Sequence, residues 1–159
     1  MKKLLLVALL ATASITTFTS CSKEETSTPA ATDIRDQSIG NYTYAQTAYT
    51  MNNGTLEVLG SAGTGTFTLE KGSSNTILVN ENGSTAFTAA KIATANNGFT
   101  FDVSTSSQGG YDIQGYGGYT LGSVKYHGAY FSSTKVFGFY YSATKDGKTN
   151  YFQVEATKK

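Results

Sequence analysis

From residue 39 onward, bulky and polar side chains alternate in short runs that are broken by glycine-containing turns. Phe67 and Leu69 fall on one side of their run, with Thr66, Thr68 and Glu70 on the other. Phe99, Phe101 and Val103 oppose Thr100, Asp102 and Ser104 in the same way. A period of two is the mark of a strand with one face buried. The punctuation is equally regular: Asn52-Asn53-Gly54, Lys71-Gly72, Glu81-Asn82-Gly83, Asn96-Asn97-Gly98, Gly109-Gly110, Gly117-Gly118 and Asp146-Gly147. Such pairs reach positive φ at low steric cost, as tight hairpin turns require. The pattern predicts strands over residues 39–50, 55–60, 64–70, 75–80, 84–89, 99–105, 111–115, 119–131, 135–144 and 148–157. Gly60-Ser61-Ala62-Gly63-Thr64-Gly65 reads as a hairpin connection or a glycine-bent strand end. It lacks the Lys-Ser/Thr and the following helix of a phosphate-cradling loop. Residues 89–95 read as a helical turn or a strand extension. The expected fold is all-β: an antiparallel up-and-down meander of about 8–10 strands.

Two registers follow from turn chemistry. A two-residue turn at Asp146-Gly147 pairs Lys145 with Lys148, which sets Tyr141 opposite Phe152 and Phe139 opposite Val154. For the preceding hairpin, a turn centred between Ser132 and Ser133 sets Phe139 against Tyr126, Tyr141 against Val124 and Phe137 over Gly128. A one-residue slip would set Phe139 against His127 and turn the strand over, so the first register is preferred. The inward stripe is then Tyr126, Tyr130, Phe137, Phe139, Tyr141 and Phe152. A small barrel with such a stripe is either filled by its own rings or holds one small ligand.

Composition agrees with the pattern. The chain has 11 Tyr, 9 Phe and 17 Gly, with one Pro and no Trp. Aromatic and β-branched residues suit a pleated, half-buried surface. Residues 36–159 are enough for one hydrophobic core and hardly for two.

The first residues follow a different rule. Met1-Lys2-Lys3 is basic, residues 4–10 are an unbroken apolar run, and small or hydroxylated residues lead to Ser20. That is the order of a secretory signal, and its apolar part falls short of the ~20 residues a bilayer crossing needs. The only cysteine follows directly, in Phe18-Thr19-Ser20-Cys21. This arrangement resembles the bacterial lipobox, although Phe18 and Thr19 depart from its commonest residues. The resemblance implies cleavage before Cys21 and lipidation on it; the rival reading is ordinary cleavage after Ala11-Thr12-Ala13. Lys23, Glu24 and Glu25 resemble the export signal that sends Bacteroidetes-type lipoproteins to the cell surface, the alternative being a solvated tether. Residues 1–20 are thus expected to be a lipoprotein signal peptide, 21–35 a lipidated cysteine with a flexible tether, and 36–159 the β-barrel domain. The expected location is the outer membrane through the lipid anchor, surface-exposed or otherwise facing the periplasm.

Without Lys2 and Lys3 the chain carries 10 basic residues against 11 acidic ones, a net charge of −1. The lysines are scattered singly, so no basic stripe for nucleic acid exists. With Cys21 acylated no thiol remains for a disulfide or a cysteine metal site.

Gly40-Asn41-Tyr42 at the head of the first strand, followed by so many antiparallel strands, resembles the lipocalin/calycin group. The closing motifs Tyr126-His127-Gly128-Ala129-Tyr130, Phe137-Gly138-Phe139 and Asp146-Gly147-Lys148 look like calycin-like lipoproteins of Bacteroidetes-type bacteria. The resemblance implies a lipocalin-like barrel over most of residues 39–159. Lipocalins place Trp where Tyr42 stands and often pair it with a late Arg or Lys; here there is no Trp, and Arg35 precedes the first strand.

Catalytic chemistry is not expected. The single histidine, His127, falls at an outward strand position beside Lys125, and no nucleophile motif accompanies it. Asp102 and Asp112 alternate with apolar residues as outward positions do. The sequons at Asn41, Asn53 and Asn82 have no machinery to serve in a bacterial envelope. Neither a cofactor nor a metal site is expected. One stretch stands out: Gly109-Gly110-Tyr111-Asp112-Ile113-Gln114-Gly115-Tyr116-Gly117-Gly118-Tyr119. Tyrosine faces stack on apolar rings or sugars and amides meet hydroxyls, so this is a candidate recognition loop. The structural alternative is a pair of tight turns flanked by core tyrosines. The candidate ligand-facing set is Tyr111, Gln114, Tyr116, Tyr119, Tyr126, Tyr130 and Tyr141. Two functions compete: a membrane-anchored binding module for a small apolar or glycan-like ligand, and a structural lipoprotein with an envelope-protein partner and a filled barrel. An open pocket of ~300 Å³ favours the first. A closed core with an exposed patch of Phe131, Tyr140 and Tyr151 favours the second.

Overall fold

Several of the hairpin turns form where two successive residues tolerate positive φ. Asn53-Gly54, Asn82-Gly83 and Asp146-Gly147 do so at 49° and 81°, 52° and 78°, and 51° and 73°. Turns of this hand match the twist of the strands they join. The computed structural model describes residues 32–159; the expected signal peptide, Cys21 and Lys23-Glu24-Glu25 lie outside them. A short 3₁₀ helix, η1 (Ile34–Gln37), precedes the strands β1 (Gly40–Asn52), β2 (Thr55–Lys71), β3 (Ile77–Glu81), β4 (Ser84–Ala95) and β5 (Gly98–Val103). Then come β6 (Ser106–Gln108), β7 (Tyr111–Gly115), β8 (Tyr119–Leu121), β9 (Val124–Tyr126), β10 (Gly128–Phe131), β11 (Val136–Lys145) and β12 (Lys148–Lys158).

Eight strands close an antiparallel ring in the order β1-β2-β3-β4-β5-β10-β11-β12 and back to β1. The ring is closed by these pairings, although β2 meets β3 only through Thr68–Lys71, so the stretch of β2 before Thr68 pairs with β1 alone. β11 is shared. Its first half pairs with β10, and its second half pairs with β7, which carries β6 on its other edge. The wall between β4 and β11 is therefore made of β5 and β10 towards one end and of β6 and β7 towards the other. Between β7 and β10, β8 and β9 form a separate two-stranded ribbon.

The all-β meander and the last hairpin are as the sequence predicts: Lys145 pairs with Lys148, Tyr141 with Phe152 and Phe139 with Val154. Three expectations are corrected. Residues 55–60 and 64–70 are one strand, because Gly60 and Gly63 adopt φ of 130° and 135° and register shifts opposite them absorb the extra residues. Residues 119–131 are three strands, because Gly122 at φ 62° turns the chain into the β8–β9 ribbon. Of the two readings of residues 89–95 the strand extension holds: they continue β4, with a bulge at Lys91.

The third correction concerns β10 and β11. Phe139 pairs with Gly128 and Phe137 with Tyr130, two residues away from the expected register. The loop is four residues long, 132–135, and ends on Lys135 at φ 55°. A shift of two preserves which side each residue faces, so Phe137 and Phe139 still point inward. Tyr126, however, leaves the inward stripe for the ribbon, where it pairs with Tyr119. The ring over Gly128 is that of Phe101, whose Cζ would lie 2.2 Å from an added Cβ.

Inside the ring, Tyr42, Phe67, Leu69, Ile77, Val79, Phe99, Phe101, Tyr130 and Phe137 are buried in one cluster. Phe101 stacks on Phe137 with ring centroids 4.6 Å apart. η1 closes this end. Ile34 packs on the cluster, Tyr42 Oη donates to Ser38 O (2.6 Å), and Tyr130 Oη donates to Gln37 O (2.7 Å). Lys158 Nζ reaches the same Gln37 carbonyl at 3.2 Å. Arg35 Nη1 donates to the carbonyls of Thr76 (2.9 Å) and Gly72 (3.3 Å), and Asp33 grips the rest of the guanidinium. Asp33 and Arg35 thus take part in this closure.

Candidate functional site

The opposite end of the barrel is not closed. Along β1 the inward residues run Tyr42, Tyr44, Gln46, and along β3 they run Ile77, Val79, Glu81, so both series turn from apolar to polar towards this end. A cavity of about 90 Å³ remains there, walled by Phe67, Val79, Phe87, Phe139 and Val154 and rimmed by Tyr44, Gln46, Glu81, Gln108 and Tyr141. It shares Gln108, Ile113 and Tyr141 with a wider concavity of about 290 Å³ that continues along Tyr111, Ala143, Asn150 and Phe152. The two form a narrow inner pocket and an open vestibule on the inner faces of β6, β7, β11 and β12.

Aromatic rings dominate the walls. Phe87 lies 4.6 Å from Phe139, and Tyr141 stacks on Phe152 at 5.0 Å. Tyr44 sits over Gly65, where an added Cβ would meet its ring at 2.6 Å; only a glycine across the strand lets that ring lie flat. The polar atoms are paired in part. Tyr44 Oη donates to Glu81 Oε1 at 2.8 Å, and Gln46 Nε2 donates to Tyr141 Oη. Burial pushes the Tyr44 phenol up to about 12, and the neighbouring carboxylate adds to the effect. Burial likewise raises Tyr141 to about 12, against an opposing contribution from the Gln46 hydrogen bond. Both phenols are therefore neutral donors at physiological pH. Because Tyr141 accepts from Gln46, its own hydrogen is free to point into the pocket.

Of the seven residues singled out by sequence, Tyr141 lines both parts of this space and Tyr111 lines the vestibule, where Lys145 Nζ lies 4.9 Å over its ring. The others lie elsewhere. Tyr130 is buried at the closed end. Gln114 alternates with the inward Ile113 and is exposed. Tyr116 packs edge-on against Tyr151 at 4.8 Å. Tyr119 rests on Tyr140 and Phe131, with its hydroxyl 2.5 Å from where a Gly138 Cβ would stand. Tyr126 is half-buried in the ribbon. Within residues 109–119, Tyr111 and Ile113 line the open end, while Tyr116 and Tyr119 pack against the outer wall.

Tyr44, Gln46, Glu81, Phe87 and Gln108 are not among the residues that the sequence singles out. Their one signal is a polar residue at the end of an otherwise apolar inward series, visible at Gln46 and Glu81 once the inward parity is known.

His127 is not a freely solvated residue. Its side chain is 30 % exposed, Nδ1 accepts the Val103 amide at 3.1 Å, and Asp102 Oδ1 lies 3.6 Å away. The ring occupies the space a Cβ on Gly115 would need. Asp102 also pairs with Lys91 at 3.2 Å. This group holds β5, β7 and the β9–β10 junction together. Comparison with known proteins found no matching family model, no similar curated protein and no similar solved structure.

Proposed function

We propose that this chain is a lipoprotein anchored through Cys21, whose barrel binds a small, partly apolar ligand in its open end. The observation that carries the binding part is the asymmetry of the barrel interior. One end is packed with rings and capped by η1, while the other is left as an aromatic pocket with convergent polar groups. A protein that needed only a stable scaffold would gain by filling both ends. The inner pocket is smaller than the ~150 Å³ cavity that accommodates benzene and far below a drug-sized site. The ligand is therefore a small group held in the inner pocket, with any larger portion lying along the vestibule.

The anchor rests on the sequence of residues 1–25. The lipobox-like Phe18-Thr19-Ser20-Cys21 supports lipidation, and Lys23, Glu24 and Glu25 support export to the outer face of the outer membrane. The closed eight-strand ring supports the calycin-like reading of the motifs around Tyr42 and Tyr126. The alternative, a protein-interaction lipoprotein, draws on the outer aromatic residues. Phe131 is exposed, but Tyr140 is covered by the β8–β9 ribbon and Tyr151 by Tyr116. Of that trio only Phe131 is exposed; among the described residues the most exposed large apolar side chains are Val58 and Leu59 on β2, away from the patch that the sequence named.

Native mass spectrometry of the full chain carrying Cys21→Ser, purified from its host, tests the binding part. A co-purifying small molecule that is lost in Ala86→Phe, a ring placed into the inner pocket, is the expected result. A ligand retained by that variant places the site elsewhere and refutes the reading. In parallel, Cys21→Ala is expected to release the chain from membranes; a variant that stays bound after a carbonate wash refutes the anchor.

A further inference from the structure

We infer that the inner pocket selects ligands bearing a protonated amine, with Glu81 as the counter-ion. The inference rests on the open end being a ligand site. Among the described residues, Glu81 is the only acidic one lining the inner pocket, and no basic one lines it. It stands at the inward position where Ile77 and Val79 would predict another apolar residue. Among the described residues no lysine, arginine or histidine lies within ion-pair distance of it. A half-buried carboxylate without a cation loses solvation and gains no charge partner, so it is a costly choice for a purely structural position.

What surrounds Glu81 is suited to complete the pair. Tyr44 occupies Oε1 and holds the carboxylate in place, leaving Oε2 as an acceptor. Gln46 uses its amide nitrogen on Tyr141, so its Oε1 is a second acceptor. An ammonium carries three donors and no acceptor, which is the complement of these two acceptors on the rim of one pocket. Phe87, Phe139 and Tyr141 line the same pocket, and aromatic rings attract a desolvated cation. An anionic group would face Glu81 across the same rings and be repelled. A neutral hydroxyl could donate to Glu81 but would lack both the charge-assisted bond and the ring attraction.

Three probes of matched shape test this on the full chain carrying Cys21→Ser: 2-phenylethylamine, 2-phenylethanol and 3-phenylpropanoate, titrated at neutral pH and followed by NMR shifts of the pocket residues. The amine should bind at least about tenfold more tightly than the alcohol, with the carboxylate weakest. Glu81→Gln should narrow the amine-to-alcohol ratio by about tenfold. Equal binding of amine and alcohol, or an unchanged ratio in Glu81→Gln, overturns the charge selectivity and leaves the binding site standing. Binding of none of the three overturns both. If Glu81→Gln fails to fold, Glu81→Asp replaces it: it keeps the charge but withdraws it, and should weaken the amine without weakening the alcohol equally.

Discussion

Phe137 and Phe139 are successive inward residues of β11, one in the packed half of the barrel and the other on the wall of the pocket. Truncating each should therefore cost different amounts. An aromatic side chain buries ~150–250 Å², which at ~25 cal/mol per Å² is about 4–6 kcal/mol. That is an upper figure, because the unfolded chain already hides some of this surface. Phe137 is fully buried between Phe101, at 4.6 Å, and the rings of Tyr42 and Phe67, at 6.2 Å each. Removing its ring leaves a void with no route to solvent, so Phe137→Ala should cost about 4–5 kcal/mol. Phe139 touches Phe87, Phe137 and Tyr141, but one side already borders the cavity. Its loss enlarges a space that water can enter, and Phe139→Ala should cost about 3 kcal/mol. Tyr140 faces outward beneath Tyr119; Tyr140→Ala should cost about 1–2 kcal/mol, as a partly covered ring does. Urea unfolding, with the slope checked for constancy, measures all three. Equal or reversed losses for Phe137 and Phe139 would refute the hollow end. A Tyr140 variant less stable than the Phe139 variant would mean that β11 faces the other way.

His127→Ala should cost about 1–2 kcal/mol, since it strips the Val103 amide of its acceptor. A loss within ~0.5 kcal/mol, as for an unconstrained surface residue, would show that this hydrogen bond contributes nothing. Asp33 supplies an acid-sensitive contact. Its hydrogen bonds to Arg35 hold its carboxyl well below the usual range, so its contribution is present above the unfolded value of ~4 and fades as pH falls through the folded value. Asp33→Asn should accordingly flatten the low-pH side of the stability profile and leave the profile above about pH 5 parallel to wild type; an unchanged acid limb rejects this role.

The local rules are legible in the order of residues alone. Asn53-Gly54, Asn82-Gly83 and Asp146-Gly147 mark reversals because their φ preferences are properties of two adjacent residues. The alternation around Phe67, Phe99 and Phe139 identifies the buried side because strand geometry has a period of two. Even the two-residue difference in register at the β10–β11 hairpin keeps each residue on its proper face, for the same reason. The remainder depends on contacts distant in the chain. Nothing near residues 55–71 distinguishes a connection at Gly60 and Gly63 from a bulged strand; the partner β1 decides it. Nothing in residues 116–126 reveals that they fold over the outer wall, because the space over Gly138 exists only once β11 is in the sheet. The split of the interior into a packed end and an open one is likewise out of the sequence's reach. Alternation says which side of a strand is inside, but η1 caps one end and Gln46 and Glu81 rim the other only because closure of the ring brings β1 and β3 to a common axis.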